Sequence, residues 1–311
     1  MDRSAIEYLN YLENSDPFFY KNFKDFIVYA SSLNKNLKDE EYNKLKESKN
    51  IDYKTTLKDK KTTINIIKNF FYKISPNIIK QIDFDVANNN IVFLNRDQMG
   101  NSSSRITLSG DNYKIEILES SKIEESYLLV REYARLFAGN LLDAEGYDKS
   151  LKKVFVETIT SLTEFALAKH LSTNKALCKD SINYINRKIY DSIYNMNDSY
   201  LTLTYLGYLL EGMGHDEIVR LFGSEDIVDR LDKIVRNKRP CNDYIFTLGT
   251  MIALKEVNRV ENIFEKINTY YIKAVSLDIK YFDENLYVDL DQNNTVNEIS
   301  TYLKNQWGLK R

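Results

Sequence analysis

The chain has 311 residues, enough for one large domain or two small ones and for a core that needs no cross-links. A composition of 43% hydrophobic and 28% charged residues excludes a largely disordered chain, and 43 basic against 45 acidic residues exclude a surface dedicated to nucleic acid. Two cysteines, Cys178 and Cys241, make neither a disulfide framework nor a zinc knuckle and read as reduced thiols.

The opening residues Met1-Asp2-Arg3-Ser4-Ala5-Ile6-Glu7 lack the apolar stretch of a secretory signal. No run approaches the ~18 apolar residues of a membrane span. The expectation is a cytoplasmic protein with no membrane segment, with export by a signal-free route left open. The basic runs Lys58-Asp59-Lys60-Lys61 and Arg236-Asn237-Lys238-Arg239 are short and read as solvated faces. Only 3 prolines and 10 glycines are present, which favours long helices.

In chain order, residues 1–80 read as a helical N-terminal region. Ile6, Leu9 and Leu12 form one stripe. After Pro17 come Phe18, Phe19, Phe23, Phe26 and Ile27, expected as core, with a partner-binding face as the rival reading. The stretch 33–60 is highly charged and reads as a loose helix or a connection. Ile64, Ile66, Ile67, Phe70 and Phe71 then recur at helical spacing until Ser75-Pro76. A small sheet is expected over 82–118. Its parts are an alternating Ile82-Asp83-Phe84-Asp85-Val86, a strand Ile91-Val92-Phe93-Leu94, a loop at 99–104, and a hairpin of 105–109 with 113–118 around Gly110-Asp111-Asn112. Helices follow at 123–137, opened by a capping box at Ser121 and Glu124, and at 151–171. Shorter helices are expected near 180–195, 199–213, 215–222, 226–236, 242–257 and 258–274. Residues 81–275 thus form the core region, and 276–311 add a strand at 287–290 and a helix at 295–307. The fold class is mainly α with a small β-sheet.

The chemistry concentrates in the two central helices. The first contains Leu128-Leu129-Val130-Arg131-Glu132-Tyr133-Ala134-Arg135-Leu136-Phe137, and the second Phe155-Val156-Glu157-Thr158-Ile159-Thr160-Ser161-Leu162-Thr163-Glu164. Residues four apart share a helix face, so two histidines at that spacing bind one zinc ion, and a glutamate beside the first activates the bound water. The first segment resembles the V-H-E-x-x-H-L-F helix of the glutamate-liganded zincins with both histidines replaced by arginine. The second resembles the F-V-x-E-V-x-S-T-x-x-E helix of the oligopeptidase F and thimet-oligopeptidase family. The resemblance covers about residues 82–171. It implies a zincin-like core in which Arg131 and Arg135 stand where metal ligands stood, Glu157 holds the third-ligand position, and Glu132 is a vestigial general base.

Guanidinium groups stay protonated and offer no lone pair, so no metal is expected there and no cofactor is implied. Arg131 and Arg135 are expected instead to pair with Glu132, Glu157 or Glu164 in a metal-free cluster. Tyr133, Tyr205, Tyr208 and His215 are further cleft residues on this reading, although the motif around His215 does not match. His170 lies 13 positions beyond Glu157, more than three turns away, and reads as a helix-end residue. No phosphate-binding loop, dinucleotide fingerprint or nucleophile elbow is present, Cys178 has no evident activating partner, and the acidic run 283–291 lacks a calcium-loop glycine.

Three functions remain open. The first is an inactive peptidase-like protein that binds a peptide or protein partner, or scaffolds an assembly. The second is a helical structural or interaction protein of a viral or bacterial assembly without zincin ancestry. The third is a metal-independent hydrolase using Glu132 or Glu157 as base. None predicts a nucleic-acid or membrane partner.

Overall fold

The computed structural model describes residues 2–50, 52–110, 112–239, 242–286, 288 and 290–305. It is mainly helical with one small sheet. The elements, in chain order, are α1 (Arg3–Ser15), α2 (Pro17–Asn36), α3 (Asp39–Glu47), α4 (Lys60–Tyr72), α5 (Pro76–Ala87), β1 (Ile91–Leu94), α6 (Arg96–Met99), β2 (Ser104–Ser109) and β3 (Asn112–Leu118). There follow α7 (Glu124–Ala138), α8 (Lys149–Leu171), α9 (Cys178–Leu210), α10 (His215–Phe222), α11 (Glu225–Arg236), α12 (Asp243–Arg259), α13 (Ile263–Val275), α14 (Ile279–Asn285) and α15 (Gln292–Asn305). No helix is long and apolar enough to cross a membrane among the described residues.

Local chemistry sets many of the boundaries. Asp2, Asp16, Asp59, Asp148 and Asp278 each accept backbone N–H groups at a helix start, the role a short polar side chain fills best. Pro17 and Pro76 stand in the first turns of α2 and α5, where the missing N–H costs nothing. α8 runs through the middle of the molecule and is buried on nearly every side. Its polar residues are reconciled with burial by bonding back one turn: Thr158, Thr160 and Thr163 donate to the carbonyls of Val154, Val156 and Ile159, each at 2.8 Å. α7, α9, α12 and α13 pack around it. One continuous core joins Ala5 and Tyr8 near the start, Phe165 and Leu248 in the middle and Tyr302 near the end.

The sheet has the order β1-β3-β2, with β1 parallel and β2 antiparallel to β3. β2 is therefore an edge strand. The register pairs Ser104 with Ile117 and Ser109 with Asn112, and the Leu118 N–H donates to the Ser103 carbonyl. Alternation along an antiparallel pair then turns the backbone groups of Ser104, Ile106 and Leu108 away from β3.

Several sequence expectations need correction. Residues 82–86 are helical, not a strand: Ile78, Ile82 and Asp85 are buried at helical spacing, while Phe84 and Val86 of the apparent alternation are exposed. The sheet accordingly begins at Ile91. The charged stretch 33–60 holds the end of α2, all of α3 and a 3-10 turn at Ser48–Asn50. The helices expected at 180–195 and 199–213 are one, because nothing between them is a proline or glycine. Ser121 does not cap α7. It takes a positive φ of 55°, and Glu125 instead accepts the N–H groups of Ser120 and Ser121 at 2.7 and 2.6 Å. In the expected strand at 287–290, Val288 and Leu290 have no strand structure, and Tyr287 and Asp289 lie outside the described residues. Cys241, Asp111 and Trp307 also lie outside them.

Candidate functional site

Glu124, Leu128, Arg131 and Arg135 follow one another at intervals of three and four along α7 and share a face. That face looks toward α8, α9 and α12. Arg135 donates through Nη1 to Glu132 Oε1 at 3.2 Å and through Nη2 to Glu157 Oε2 at 3.4 Å. Arg131 places Nε 3.7 Å from Glu164 Oε1. The two guanidinium groups, one turn apart, thus address two carboxylates that are themselves two turns apart on α8.

A third cation completes the cluster. Lys188 of α9, with a side chain only 4% exposed, lies 2.6 Å from Glu164 Oε2 and 3.5 Å from Glu157 Oε1. Three cations therefore meet three carboxylates, and the cluster closes near neutrality. Tyr184 donates to Glu164 at 2.8 Å, Ser161 to Glu157 at 3.3 Å, and Ser104 at the start of β2 to Glu132 at 2.5 Å. Phe246 of α12 offers its ring to Lys188 at 4.6 Å and to Arg131 at 5.9 Å.

The electrostatics follow from burial and pairing together. Burial alone would push the Glu164 carboxyl up, but the charges of Lys188 and Arg131 outweigh it and hold Glu164 below the ordinary carboxylate value. Burial disfavours a charged Arg131, yet Glu164, Glu157 and Glu132 hold it firmly protonated. Satisfaction is incomplete nonetheless. Arg131 Nε is buried, 3.7 Å from Glu164 and without a hydrogen bond, whereas Lys188 Nζ closes on Glu164 Oε2 at 2.6 Å.

Two hollows open on either side of Phe246. One, of about 310 Å³, is lined by Ser103, Leu128, Arg131, Tyr184, Lys188 and Phe246, and also by Tyr53, Glu124, Arg187 and Asp191. The other, of about 330 Å³, is lined by Arg135, Lys153, Val156, Glu157, Ile245 and Phe246. Both lie along the charged face of α7, the first beside Arg131 and Ser103 and the second beside Arg135.

Arg131, Glu132, Arg135, Glu157 and Glu164 all come together here. Tyr133, Tyr205, Tyr208 and His215 do not. Tyr133 is fully buried on the other side of α7, where its hydroxyl donates to Asp85 at 2.9 Å, because one residue beyond Glu132 turns the chain away from the hollows. Tyr205 donates to Asp232 at 2.9 Å. Tyr208 packs edge-on against Phe222 at 5.9 Å, and His215 is the exposed first residue of α10. His170 ends α8 beside Phe70, and Cys178 is a buried thiol at the start of α9. Among the described residues no group of three His, Cys, Asp or Glu side chains is placed to hold a metal ion.

Lys188, Tyr184, Phe246, Ser104 and Gly249 belong to the site but were not among the residues expected there. Lys188 was signalled by its position within the apolar stripe of Ile185, Ile189 and Ile193, where a lysine needs buried carboxylates. Gly249 was signalled as a lone glycine in an apolar helix. A Cβ at Gly249 would stand 2.7 Å from Glu157 Cβ and 2.9 Å from its carbonyl carbon, so the glycine lets α12 press against the backbone that carries Glu157.

No family model matches the sequence, and comparison with curated proteins and with solved structures gives no match.

Proposed function

We propose that the chain is a peptide-binding pseudopeptidase, a zincin-like core in which an ion-pair cluster occupies the seat of the metal. The observation that carries this reading is the meeting of Arg131 and Arg135 with Glu164 and Glu157 across α7 and α8. These are the positions at which the motif resemblance sets two imidazoles and a carboxylate ligand. A mixed sheet with an antiparallel edge strand beside α7 and two hollows along the charged face of that helix favour the reading as well.

The cluster is unsuited to hydrolysis. Arginine cannot ligate zinc, and Glu132, which would activate a water, already accepts from both Arg135 and Ser104. What the surface retains is a place for an extended chain. The outward backbone groups of Ile106 and Leu108 offer a ladder to an added strand, and one hollow beside Ser103 and another beside Glu157, on either side of Phe246, lie on the same side of α7. The partner is accordingly a peptide or an extended segment of a protein.

The test is binding of a pool of random N-acetylated hexapeptides, followed by fluorescence anisotropy, with mass spectrometry of the pool before and after incubation. Binding without cleavage is expected, with or without added zinc, and a chelator should leave the melting temperature unchanged. Leu108→Pro removes an outward N–H on an exposed edge strand, a place where proline is tolerated, and should weaken binding by about tenfold. Zinc-dependent cleavage, or no binding at all, refutes the proposal.

A further inference from the structure

We propose that the hollow between Arg131, Lys188 and Phe246 anchors the C-terminal carboxylate of the bound peptide, an inference that rests on the peptide-binding reading above.

Three observations converge on it. First, Arg131, Arg187 and Lys188 bring three cations to this hollow, and Arg131 Nε, 3.7 Å from Glu164 Oε1, makes no hydrogen bond. A guanidinium this loosely paired keeps its remaining N–H edge for a further acceptor. Secondly, both residues line one hollow of about 310 Å³, at the small end of the range for a ligand pocket and ample for a terminal residue. Thirdly, the hollow lies at the right end of the edge strand. Ser103, the residue before β2, forms part of its wall. A peptide running antiparallel to β2 has its C-terminus at the beginning of β2, and therefore at this hollow.

The charge pattern narrows the ligand. Arg131, Arg187 and Lys188 face the hollow, but so do Glu124 and Asp191, the latter 3.7 Å from Arg187. Glu164 and Glu157 stand behind the wall and balance Arg131 and Lys188. The net field is thus modest, and a dianion would meet four carboxylates. A single planar carboxylate instead takes directed hydrogen bonds from the Arg131 guanidinium edge, which suits a chain terminus.

The experiment compares two pools of N-acetylated hexapeptides of the same random composition, one ending in a free carboxylate and one in a carboxamide, by fluorescence anisotropy against the full chain. The free-acid pool should bind about tenfold more tightly or better. Arg131→Lys keeps the charge opposite Glu164 and loses the fork, so the acid-to-amide ratio should fall towards one. Equal binding of the two pools by the native chain overturns the inference and leaves the peptide reading standing. An unchanged ratio in a folded Arg131→Lys variant also overturns it. Binding of neither pool overturns the peptide reading and this inference with it. Should Arg131→Lys fail to fold, the comparison on the native chain decides.

Discussion

Removing the Glu164 charge is the most direct way to test the cluster. Glu164 is fully buried, and it faces Lys188 at 2.6 Å, Arg131 at 3.7 Å and the Tyr184 hydroxyl at 2.8 Å. Glu164→Gln keeps the shape and the Tyr184 acceptor but leaves two buried cations short of one anion. Breaking a buried pair from one side costs about 3–5 kcal/mol, and because Glu157 still stands 3.5 Å from Lys188 the lower end, about 3 kcal/mol, is expected. With a urea slope of about 3 kcal/mol/M for a chain of this size, the unfolding midpoint should fall by about 1 M. The exposed pair Arg3–Glu7 sets the contrast: Glu7→Gln should leave the unfolding midpoint almost unchanged. Adding Lys188→Met to Glu164→Gln removes the stranded charge and should recover about 2 kcal/mol, measured as a coupling energy in a double-mutant cycle. The same substitution has a pH signature. The folded Glu164 carboxyl lies below its ordinary value of 4.5, so its stabilisation is present above about that pH and is lost as pH falls through the folded value. Glu164→Gln should therefore flatten the acid limb of the stability profile. A cost below about 1 kcal/mol, or additive single substitutions, would refute the picture of an interdependent charge cluster.

Three further expectations can be checked with the same unfolding assay. Gly249→Ala drives a Cβ into Glu157 at 2.7 Å and should destabilise by about 1–3 kcal/mol, despite the gain of about 0.5–1 kcal/mol that alanine brings to a helix. Burial, aided by the Lys73 charge, lowers His170 from 6.5 to about 4, so the unfolded chain binds its proton first; stability should fall between pH 6.5 and 4, and His170→Gln should remove that part of the slope. Tyr133→Phe deletes a buried hydroxyl that donates to the Asp85 carboxylate and should cost about 1.5–3 kcal/mol.

The long helices were legible because their apolar periodicity and their breakers agree: Pro17, Pro76 and the aspartate caps all stand where the chain turns. The strands were legible where alternation met a turn, at 104–118. The error at 82–86 arose because five residues fit two periods equally well, and only the burial of Ile78 and Asp85 separates them. The pairing across α7 and α8 was an expectation of the motif resemblance, with Glu132, Glu157 and Glu164 left open as partners. The apolar stripe of α9 signals that Lys188 is buried, but not that it joins this cluster, since sequence spacing carries no information about which face of a later helix lies nearest. The tyrosines were misassigned for a related reason. Tyr133 neighbours Glu132 in sequence but points to Asp85, across the helix from the hollows.

The equal standing of three positive and three negative side chains has a bearing on how this chain relates to a metalloprotein. Exchanging only one arginine for histidine strands an acid and gains no chelate. Exchanging Arg131 and Arg135 together leaves Lys188 alone against Glu132, Glu157 and Glu164, a deficit of the size a divalent ion would fill. A mutational path from this cluster to a metal site that changes one arginine at a time therefore passes through a less stable intermediate.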